Sequence, residues 1–345
     1  MNDAFKPLLA QAVSGAPLDG AEMTAAMEML LAGDVSDIQA AAFLTALRVR
    51  GETIDEISAA AKVMRAKALR VDAPEYAIDT CGTGGAGKGN LNVSTAAALV
   101  AAGCGVPIAK HGNKAVSSKS GAADVLERLG VNLHASPAQI SRSIEKANIG
   151  FMFARLHHQA VANVAAVRAG LGVRTIFNLL GPLSNPAGAK RQVMGVFDKA
   201  LIRPLAEALM NLGAERAWVV HGADGLDELT TTTHSYVSEI RNGAVRDFTV
   251  SPEGAGLPLA REEDLKGGDP AFNANAIGAL LDGEQGPFRD IVVLNAAAAV
   301  IVAGRAETLR EAAAIAQKSI DDGAAKTALA ALIRYSNAEQ INTAP

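Results

Sequence analysis

The sequence predicts an α/β protein in which several short helices precede a larger unit built on a mostly parallel sheet. Helix-capping signals recur through residues 1–70, short β-like runs alternate with helical stretches from residue 76 onward, and one hairpin signal stands at residues 242–243. Strands that alternate with helices are typical of parallel sheets, whose strands are joined by helical crossovers. With 345 residues, the chain has room for a large core and for two domains.

The helices of residues 1–70 are predicted from the residues at their ends. Three residue pairs have capping-box spacing, in which each side chain binds the backbone amide of the other residue. The pairs are Asp19 with Glu22, Ser36 with Gln39, and Thr53 with Glu56. Gly33 and Gly51 follow the first two apolar-periodic segments, where glycine commonly ends a helix.

The strands are predicted from short apolar runs. These runs are Val106–Ala109, Gly150–Phe153, Gln192–Phe197 and Ala217–His221. Asn242-Gly243 lies between two further runs, residues 231–240 and 245–250, so we expect one antiparallel addition to the sheet. Residues 291–303 are apolar, but the run is short and contains Asn295, which indicates a buried helix rather than a membrane span.

Two polar clusters predict phosphate binding. The first has glycines at positions 82, 84, 85, 87 and 89, followed by Asn92, Ser94 and Thr95 before an apolar run. The second comprises Lys110, His111, Asn113, Lys114, Ser117, Ser118 and Lys119. Glycines let backbone N–H groups approach an anion closely, and a helix N-terminus adds partial positive charge. Two such clusters about 25 residues apart indicate a ligand with two separate phosphate groups.

The first cluster also partly matches two nucleotide-binding motifs. Gly82-x-Gly84-x-x-Gly87 satisfies the dinucleotide fingerprint, but the basic stretch 107–110 replaces the acidic residue expected about 20 residues later. Gly82-x-x-x-x-Gly87-Lys88 resembles a nucleoside-triphosphate loop, but Gly89 stands where Ser or Thr would bind magnesium. A plain glycine-rich turn would not explain the polar residues that follow. Both nucleotide interpretations are therefore disfavoured.

Adjacent carboxylates at Asp227 and Glu228 follow the predicted strand at residues 217–220. Loops at strand ends carry the active sites of α/β proteins, and oxygen ligands suit Mg²⁺. We expect the pair on an exposed loop, where acids contribute little to stability. On pattern alone, the alternative to a metal site is that the two acids are merely solvated. For Arg168, the alternative to ligand binding is a place on a solvated helix face.

Composition argues against several classes of protein. A net charge of −4, an aromatic content of 4% and the lack of a long basic run disfavour nucleic-acid binding. Cys81 and Cys104 indicate buried thiols in a reducing compartment rather than a disulfide framework. No basic segment followed by an apolar core opens the chain, so we expect no signal peptide, no membrane partner and a cytoplasmic location.

Six longer motifs point to one family. They are Gly82-Thr83-Gly84-Gly85, Asn92-Val93-Ser94-Thr95, Lys110-His111-Gly112-Asn113, Ser117–Gly121, Arg174–Leu183 and Asp227-Glu228. Together they resemble the signature of the anthranilate phosphoribosyltransferases, and the resemblance runs from about residue 5 to residue 335. It implies an enzyme of tryptophan synthesis that joins anthranilate to phosphoribosyl pyrophosphate (PRPP) and releases pyrophosphate.

The resemblance also implies an architecture. A small helical domain would comprise residues 1–70 with 165–190, and a large α/β domain residues 71–164 with 191–345. The active site would lie at the hinge between them, and two small domains would form a homodimer.

The resemblance further implies the residues of the site. Mg²⁺ would be bound by Asp227, Glu228 and the hydroxyl of Ser94, which could also cap the following helix. Anthranilate would be bound by Gly82, Asn113, His157 and Arg168, with Arg168 forked onto its carboxylate. PRPP would be bound by Gly82, Gly85, Ala86, Asn90, Asn92, Val93, Ser94, Thr95, Lys110, His111, Gly112, Asn113, Lys114, Ala115, Val116, Ser117, Ser118 and Ala122.

Five positions depart from the family pattern. They are Ala86 for Asp, Asn90 for Ser or Thr, Lys114 for Arg, Ala122 for Ser and Arg155 for Pro. Ala86 matters most, because the Asp of the family would lie beside the pyrophosphate. Lys114 keeps the charge of Arg but loses its planar fork. We expect these changes to affect PRPP affinity and metal dependence rather than reaction type.

Two other functions remain open. A pyrimidine nucleoside phosphorylase of the same broad fold would account for one phosphate cluster but not for the Asp227-Glu228 pair or Arg168. A catalytically silent relative that binds nucleic acid or protein conflicts with the acidic charge balance and with the near-complete set of motifs. Loss of anthranilate fluorescence on addition of PRPP and Mg²⁺ would separate all three.

Overall fold

A computed structural model describes residues 2–84, 91–115 and 119–338. Its N-terminal part is helical, as predicted: α1 (Lys6–Val13), α2 (Gly20–Ala32), α3 (Asp37–Arg50) and α4 (Ile54–Ala66). Full capping boxes at Asp19 and Thr53 are confirmed. At Ser36 only half of the predicted box forms, because the Gln39 side chain accepts from the backbone N–H of Asn2 rather than from that of Ser36.

The strands of the described residues form one sheet. They are β1 (Ile78–Gly82), β2 (Ile108–Gly112), β3 (Ile149–Phe153), β4 (Arg191–Gly195), β5 (Arg216–Gly222), β6 (Ser235–Arg241) and β7 (Ala244–Val250). The order is β3-β2-β1-β4-β5-β6-β7, with parallel pairing from β3 to β5. This confirms the mostly parallel sheet. The central strand β1 was missing from the predicted runs, because Ile78 is its only large aliphatic residue.

The predicted hairpin is confirmed by antiparallel pairing of β5 with β6 and of β6 with β7. Asn242 and Gly243 both have positive φ, at 54° and 73°, as a tight two-residue hairpin turn requires. The first hairpin strand begins at Ser235 rather than at residue 231. The preceding threonines, Thr230 and Thr232, instead donate hydrogen bonds to Asp224.

Helices cover both faces of the sheet. They are α5 (Val93–Gly103), α6 (Ala122–Arg128), α7 (Pro137–Ala147), α8 (Ala154–His157), α9 (Ala165–Leu171), α10 (Phe177–Leu183), α11 (Ile202–Asn211), α12 (Pro270–Leu281), α13 (Pro287–Val302), α14 (Leu309–Asp321) and α15 (Ala324–Ser336). The apolar run at 291–303 lies almost wholly in α13 and is buried there, as predicted. No helix within the described ranges is long and apolar enough to span a bilayer.

Two large cores lie on opposite faces of the sheet, since successive strand residues point to opposite sides. Trp218 packs with α5, α13, α14 and α15, whereas its neighbour Val219 packs with α11 and the N-terminal helices. The second core also includes Leu180 of α10 and Leu205 of α11. The helical part therefore shares one apolar core with one face of the sheet. The predicted two-domain division remains a prediction.

Candidate active site

The candidate site lies at the carboxyl edge of the sheet. The chain runs from β1 to β2 and β3 on one side, then returns to β4 and β5 on the other, so the strand order reverses between β1 and β4. Open α/β sheets bind ligands in the crevice at such a point. The two phosphate clusters and the carboxylate pair follow strands that end at this edge, at Gly82, Gly112 and Gly222 respectively.

The Asp227 backbone lies directly against the ends of β1 and β4. Gly82 and Gly195 are partners in the parallel register. A Cβ atom on Gly195 would lie 1.7 Å from the carbonyl oxygen of Asp227. A Cβ atom on Gly82 would lie 3.3 Å from the Oδ2 atom of Asp227. Position 195 therefore requires glycine for close packing. Gly82, a predicted contact of both substrates, lies next to the Asp227 carboxylate.

The Glu228 side chain faces the first turn of α5. The backbone N–H of Ser94 donates a 3.1 Å hydrogen bond to Oε1 of Glu228. Ser94 is the second residue of the helix and Asn92 is its N-cap, so the expected capping role of Ser94 is wrong. Asn92 does not cap the helix through its side chain either, because Oδ1 accepts from Ser120 and Asn273.

Asp227 and Glu228 are half-buried, which corrects the expectation of an exposed loop. Burial raises the pKa of Asp227. Burial and the neighbouring Asp227 charge raise the pKa of Glu228 to about 8, although Lys110 and Ser94 act in the opposite direction. Two adjacent carboxylates that resist ionisation are a favourable place for a cation.

A buried lysine lies beneath this pair. Lys110 is only 2% exposed, and its ammonium group donates to the carbonyl oxygen of Thr80. Burial lowers the pKa of Lys110, while the nearby Asp79, Cys81 and Glu228 oppose that shift. The ammonium group thus lies against the middle of β1 and is close enough to Glu228 to favour ionisation of that carboxylate. Its predicted contact with PRPP remains a prediction.

Sequence analysis missed the partner of this lysine. Asp79 is fully buried in β1 and accepts hydrogen bonds from the His111 backbone N–H at 3.0 Å and from Nδ2 of Asn185 at 2.7 Å. Nδ2 of Asn185 also donates to the Ala109 carbonyl oxygen at 2.8 Å. An acidic residue among buried strand residues was the available signal, but β1 itself was not predicted.

Three histidines are buried: His111 in β2, His157 at the end of α8, and His158 directly after it. The rings of His111 and His158 meet edge to face at 5.1 Å, and Nδ1 of His111 lies 3.2 Å from the Gly181 carbonyl oxygen. Burial lowers the pKa of both rings, that of His158 to about 4, so both are neutral at pH 7. Their Nε2 atoms have no partner among the described residues. His157, the predicted anthranilate contact, places Nδ1 2.7 Å from the Leu69 carbonyl oxygen.

Arg168 and Arg174 each lie over an aromatic ring. The Arg168 guanidinium lies 5.2 Å from the Phe177 ring centre, and that of Arg174 lies 3.8 Å from the Phe197 ring centre. Arg168 is half-buried, and burial lowers its pKa without a compensating carboxylate in the described part of the chain. Such a group suits a carboxylate ligand. Arg174 favours ionisation of Asp227, a role that sequence analysis did not assign.

The second phosphate cluster begins at the end of β2. Asp124 of α6 accepts from the backbone N–H groups of Ala115 at 2.8 Å and Gly121 at 3.0 Å, so it joins the two ends of this loop. Lys114 forms a 2.9 Å ion pair with Glu127. Ala122 is the first residue of α6. The predicted contacts Gly85, Ala86, Asn90, Val116, Ser117 and Ser118 lie outside the described residues.

The donor set fits magnesium. Mg²⁺ is usually held by one or two carboxylates together with waters and substrate phosphates, rather than by a cage of protein ligands. In the ranges that the structure describes, no three His, Cys, Asp or Glu residues are grouped as a metal cage. The half-buried Asp227-Glu228 pair, beside the first phosphate cluster, matches the substrate-completed type of site.

Comparison with known proteins identifies both parts of the fold. Residues 6–68 match the family model described as "Glycosyl transferase family, helical bundle domain", and residues 75–326 match "Glycosyl transferase family, a/b domain". The anthranilate phosphoribosyltransferase of Parvibaculum lavamentivorans is 60% identical over 333 residues, which cover 96% of this chain and 98% of the relative.

Solved structures agree with this result. The crystal structure of anthranilate phosphoribosyltransferase from Thermus thermophilus is similar with a TM-score of 0.91 and 46% identity, over 96% of this chain and 99% of that one. The enzyme of Saccharomyces cerevisiae in complex with PRPP and Mg is similar with a TM-score of 0.88 and 28% identity, over 97% and 98% of the two chains.

Proposed function

This chain belongs to the anthranilate phosphoribosyltransferase family, and we propose that the site at the carboxyl edge of its sheet transfers the phosphoribosyl group of PRPP to the amine of anthranilate. The products are N-(5-phosphoribosyl)anthranilate and pyrophosphate. The hydrogen bond from Ser94 to Glu228 carries the proposal, because it joins the first phosphate cluster to the carboxylate pair.

Asp227, Glu228 and the Ser94 hydroxyl would hold Mg²⁺. When bound, the ion would neutralise charge on the pyrophosphate leaving group. The half-burial of both carboxylates supports this assignment, as does the yeast relative that was solved with PRPP and Mg. The buried Lys110 lies near Glu228 and favours ionisation of that carboxylate.

PRPP would lie across the two clusters, at the residues that the family resemblance indicates. In the described ranges these are Gly82, Asn92, Val93, Ser94, Thr95, Lys110, His111, Gly112, Asn113, Lys114, Ala115 and Ala122. The first turn of α5 lies against the carboxylate pair through the hydrogen bond from the Ser94 N–H to Glu228, which places this part of the first cluster beside the proposed metal ligands.

Anthranilate would be bound by Gly82, Asn113, His157 and Arg168. The half-buried guanidinium of Arg168 supports recognition of the carboxylate. The amine of anthranilate is nucleophilic enough to attack an oxocarbenium-like carbon, so positioning and electrostatics can supply most of the rate. The low pKa of His111 and of His158 makes both weak bases, which agrees with a reaction that needs no strong base.

The decisive assay follows anthranilate fluorescence. The purified protein should quench it in the presence of PRPP and Mg²⁺, and pyrophosphate should appear in equal amount. Phosphorolysis of uridine or thymidine with inorganic phosphate, without anthranilate turnover, would indicate the phosphorylase instead. Absence of both activities in folded protein would indicate the silent relative.

A homodimer through the helical part is the proposed assembly. Ile38, Ala42, Thr45 and Val49 are exposed at helical spacing along α3, and Ile38 and Val49 are 83% and 82% exposed. Such an apolar stripe is typical of an interface. Sedimentation should show a dimer that the double change Ile38→Asp and Val49→Asp dissociates. A monomeric parent protein at micromolar concentration would contradict the assembly.

The proposed location is the cytoplasm. Cys81 and Cys104 are free thiols, as a reducing compartment favours. Cell fractionation would test this location directly, and recovery in a membrane or secreted fraction would contradict it.

A further inference from the structure

Asn295 is a buried polar residue in an apolar helix. It is 3% exposed, and every residue of α13 from Ile291 to Val302 is buried. An unsatisfied amide in such surroundings would be costly. Its hydrogen bonds therefore show what the side chain does at this position.

The Asn295 amide binds both peptide groups of one residue outside the helix. Its Oδ1 accepts from the Leu229 N–H at 3.0 Å, and its Nδ2 donates to the Leu229 carbonyl oxygen at 2.8 Å. The remaining Nδ2 hydrogen reaches the Ile291 carbonyl oxygen at 2.9 Å within the helix. Both donor hydrogens of the amide are thus used, and the side chain has one fixed orientation.

Leu229 directly follows Glu228. Its N–H belongs to the peptide unit that begins at the Glu228 carbonyl, so Asn295 fixes the main chain immediately beyond the carboxylate. The Glu228 side chain is fixed separately by the N–H of Ser94 in α5. Since α13 packs directly against α5, the two helices together set where this carboxylate lies.

Other side-chain hydrogen bonds lie within this loop. Oδ2 of Asp224 accepts from the hydroxyls of Thr230 and Thr232, both at 2.7 Å, and its Oδ1 accepts from the Leu226 N–H at 3.1 Å. These bonds shape the loop but do not tie it to α13. Asn295 supplies that tie.

We propose that Asn295 is a positioning residue for the metal-binding carboxylate of Glu228. This inference rests on the proposed function, because it takes Glu228 as a ligand of the ion. Partners that orient metal ligands typically change metal affinity 10- to 100-fold when they are removed. A residue that only stabilised the fold would leave the metal affinity of the folded protein unchanged.

The test measures binding of Mn²⁺ in the presence of PRPP, by the loss of the free-ion signal in electron paramagnetic resonance. Asn295→Leu has similar volume and removes all three hydrogen bonds. Val300→Ala is the matched control, because it weakens the packing of the same buried helix away from Leu229. Thermal unfolding of each variant establishes the temperature at which both are folded.

Asn295→Leu should weaken Mn²⁺ binding about 10- to 100-fold, while Val300→Ala binds as the parent does. The half-saturating Mg²⁺ concentration for turnover should rise in parallel, and kcat should largely recover at saturating Mg²⁺. Unchanged Mn²⁺ binding by Asn295→Leu, or equal weakening by Val300→Ala, overturns the inference.

Two further variants keep the outcomes distinct. If Asn295→Leu does not fold, Asn295→Ser is judged by the same criteria. Glu228→Gln separates this inference from the proposed metal site: if it binds Mn²⁺ as the parent does, Glu228 is not a ligand and both fall, whereas the proposed transfer reaction is decided by the fluorescence assay. If Glu228→Gln loses the ion and Asn295→Leu retains it, only the role of Asn295 fails.

Discussion

Oε1 of Glu228 lies 3.1 Å from the backbone nitrogen of Ser94, although 134 residues separate the two in the chain. The contact brings the loop after β5 against the helix that follows β1. The proposed Mg²⁺ ligands and the first phosphate cluster predicted from the sequence therefore lie together, and the order of strands in the sheet brings them there.

The first prediction concerns the carboxylate pair. The double change Asp227→Asn and Glu228→Gln should abolish anthranilate turnover, because neutral amides bind Mg²⁺ weakly. In the absence of metal, the variant should melt at the same temperature as the parent or at a higher one. Burial and mutual repulsion disfavour the negative charges of the two carboxylates in the parent. Fluorescence assays at saturating PRPP and Mg²⁺ and thermal melts at pH 8 check both parts. Full turnover by the variant would remove the pair from the site.

The second prediction concerns Arg168. Arg168→Ala should weaken the apparent affinity for anthranilate roughly tenfold or more, the scale of a charge-assisted hydrogen bond, and change PRPP binding much less. Arg334→Ala is a matched control, because Arg334 is exposed and also lies over an aromatic ring, that of Tyr335. Calorimetry with each substrate separates the effects. Weaker PRPP binding with normal anthranilate saturation would mean that the two substrate sites are exchanged.

The third prediction concerns ligand choice. PRPP with Mg²⁺ should raise the melting temperature, because binding at 100 times its Kd adds about 2.7 kcal/mol to the free energy of unfolding. NAD and ATP should not raise it. The reason is the missing ribose-binding acid and the Gly at the Ser/Thr position of the triphosphate motif. Differential scanning fluorimetry gives the answer, and comparable shifts from NAD or ATP would contradict the assignment of both clusters to PRPP.

The fourth prediction concerns Gly195. A methyl group there would meet the Asp227 carbonyl oxygen at 1.7 Å, so Gly195→Ala must displace the backbone that carries the proposed metal ligands. Turnover should fall at least tenfold at limiting Mg²⁺. Gly278→Ala is the steric control, because Gly278 lies in α12 and a Cβ atom there meets no atom within 4 Å. Equal kinetics for the Gly195→Ala variant and the parent would show that the loop can shift without cost.

The fifth prediction concerns pH and the helical part. Burial alone would raise the pKa of Glu56, but the backbone N–H groups of Thr53 and Leu18 and the Arg50 guanidinium together lower it. Because the pKa of Glu56 is lower in the folded than in the unfolded protein, its ionisation stabilises the fold at pH values above the unfolded pKa of about 4.3. That contribution is lost as the pH falls through the pKa of the folded protein. Glu56→Gln should therefore cost roughly 3 kcal/mol at pH 7 and much less near pH 3.

Urea unfolding at both pH values checks this prediction. Asp3→Asn is the control, since Asp3 forms an exposed pair with Lys6 that contributes little. A pH-independent loss for Glu56→Gln would assign its effect to packing rather than to charge.

The sequence predicted what local chemistry decides. Capping residues located the N-terminal helices, Asn242-Gly243 located the hairpin, and the motifs singled out Ser94 and Glu228, which are in contact. These signals operate over a few residues and need no knowledge of strand order.

The rest depends on contacts between distant segments. Asp79 and Asn185 form a hydrogen bond although 106 residues separate them in the chain. Position 195 has no room for a side chain because the Asp227 backbone packs against it. The prediction that Asp227 and Glu228 are exposed was wrong for the same reason, because α5 and the neighbouring strands bury these two residues. No local pattern encodes these contacts.

The apolar core that the N-terminal helices share with later elements has a consequence for synthesis. Translation finishes α4 at Ala66, but the last buried residue of the same core, Ile240 of β6, follows 174 residues later. At about 5–20 residues per second, this delay lasts roughly 9–35 s. During that interval the apolar faces of the nascent helices lack their final partners, which makes them a natural client segment for chaperones at the ribosome. The first part of the chain to be made is thus among the last to be completed.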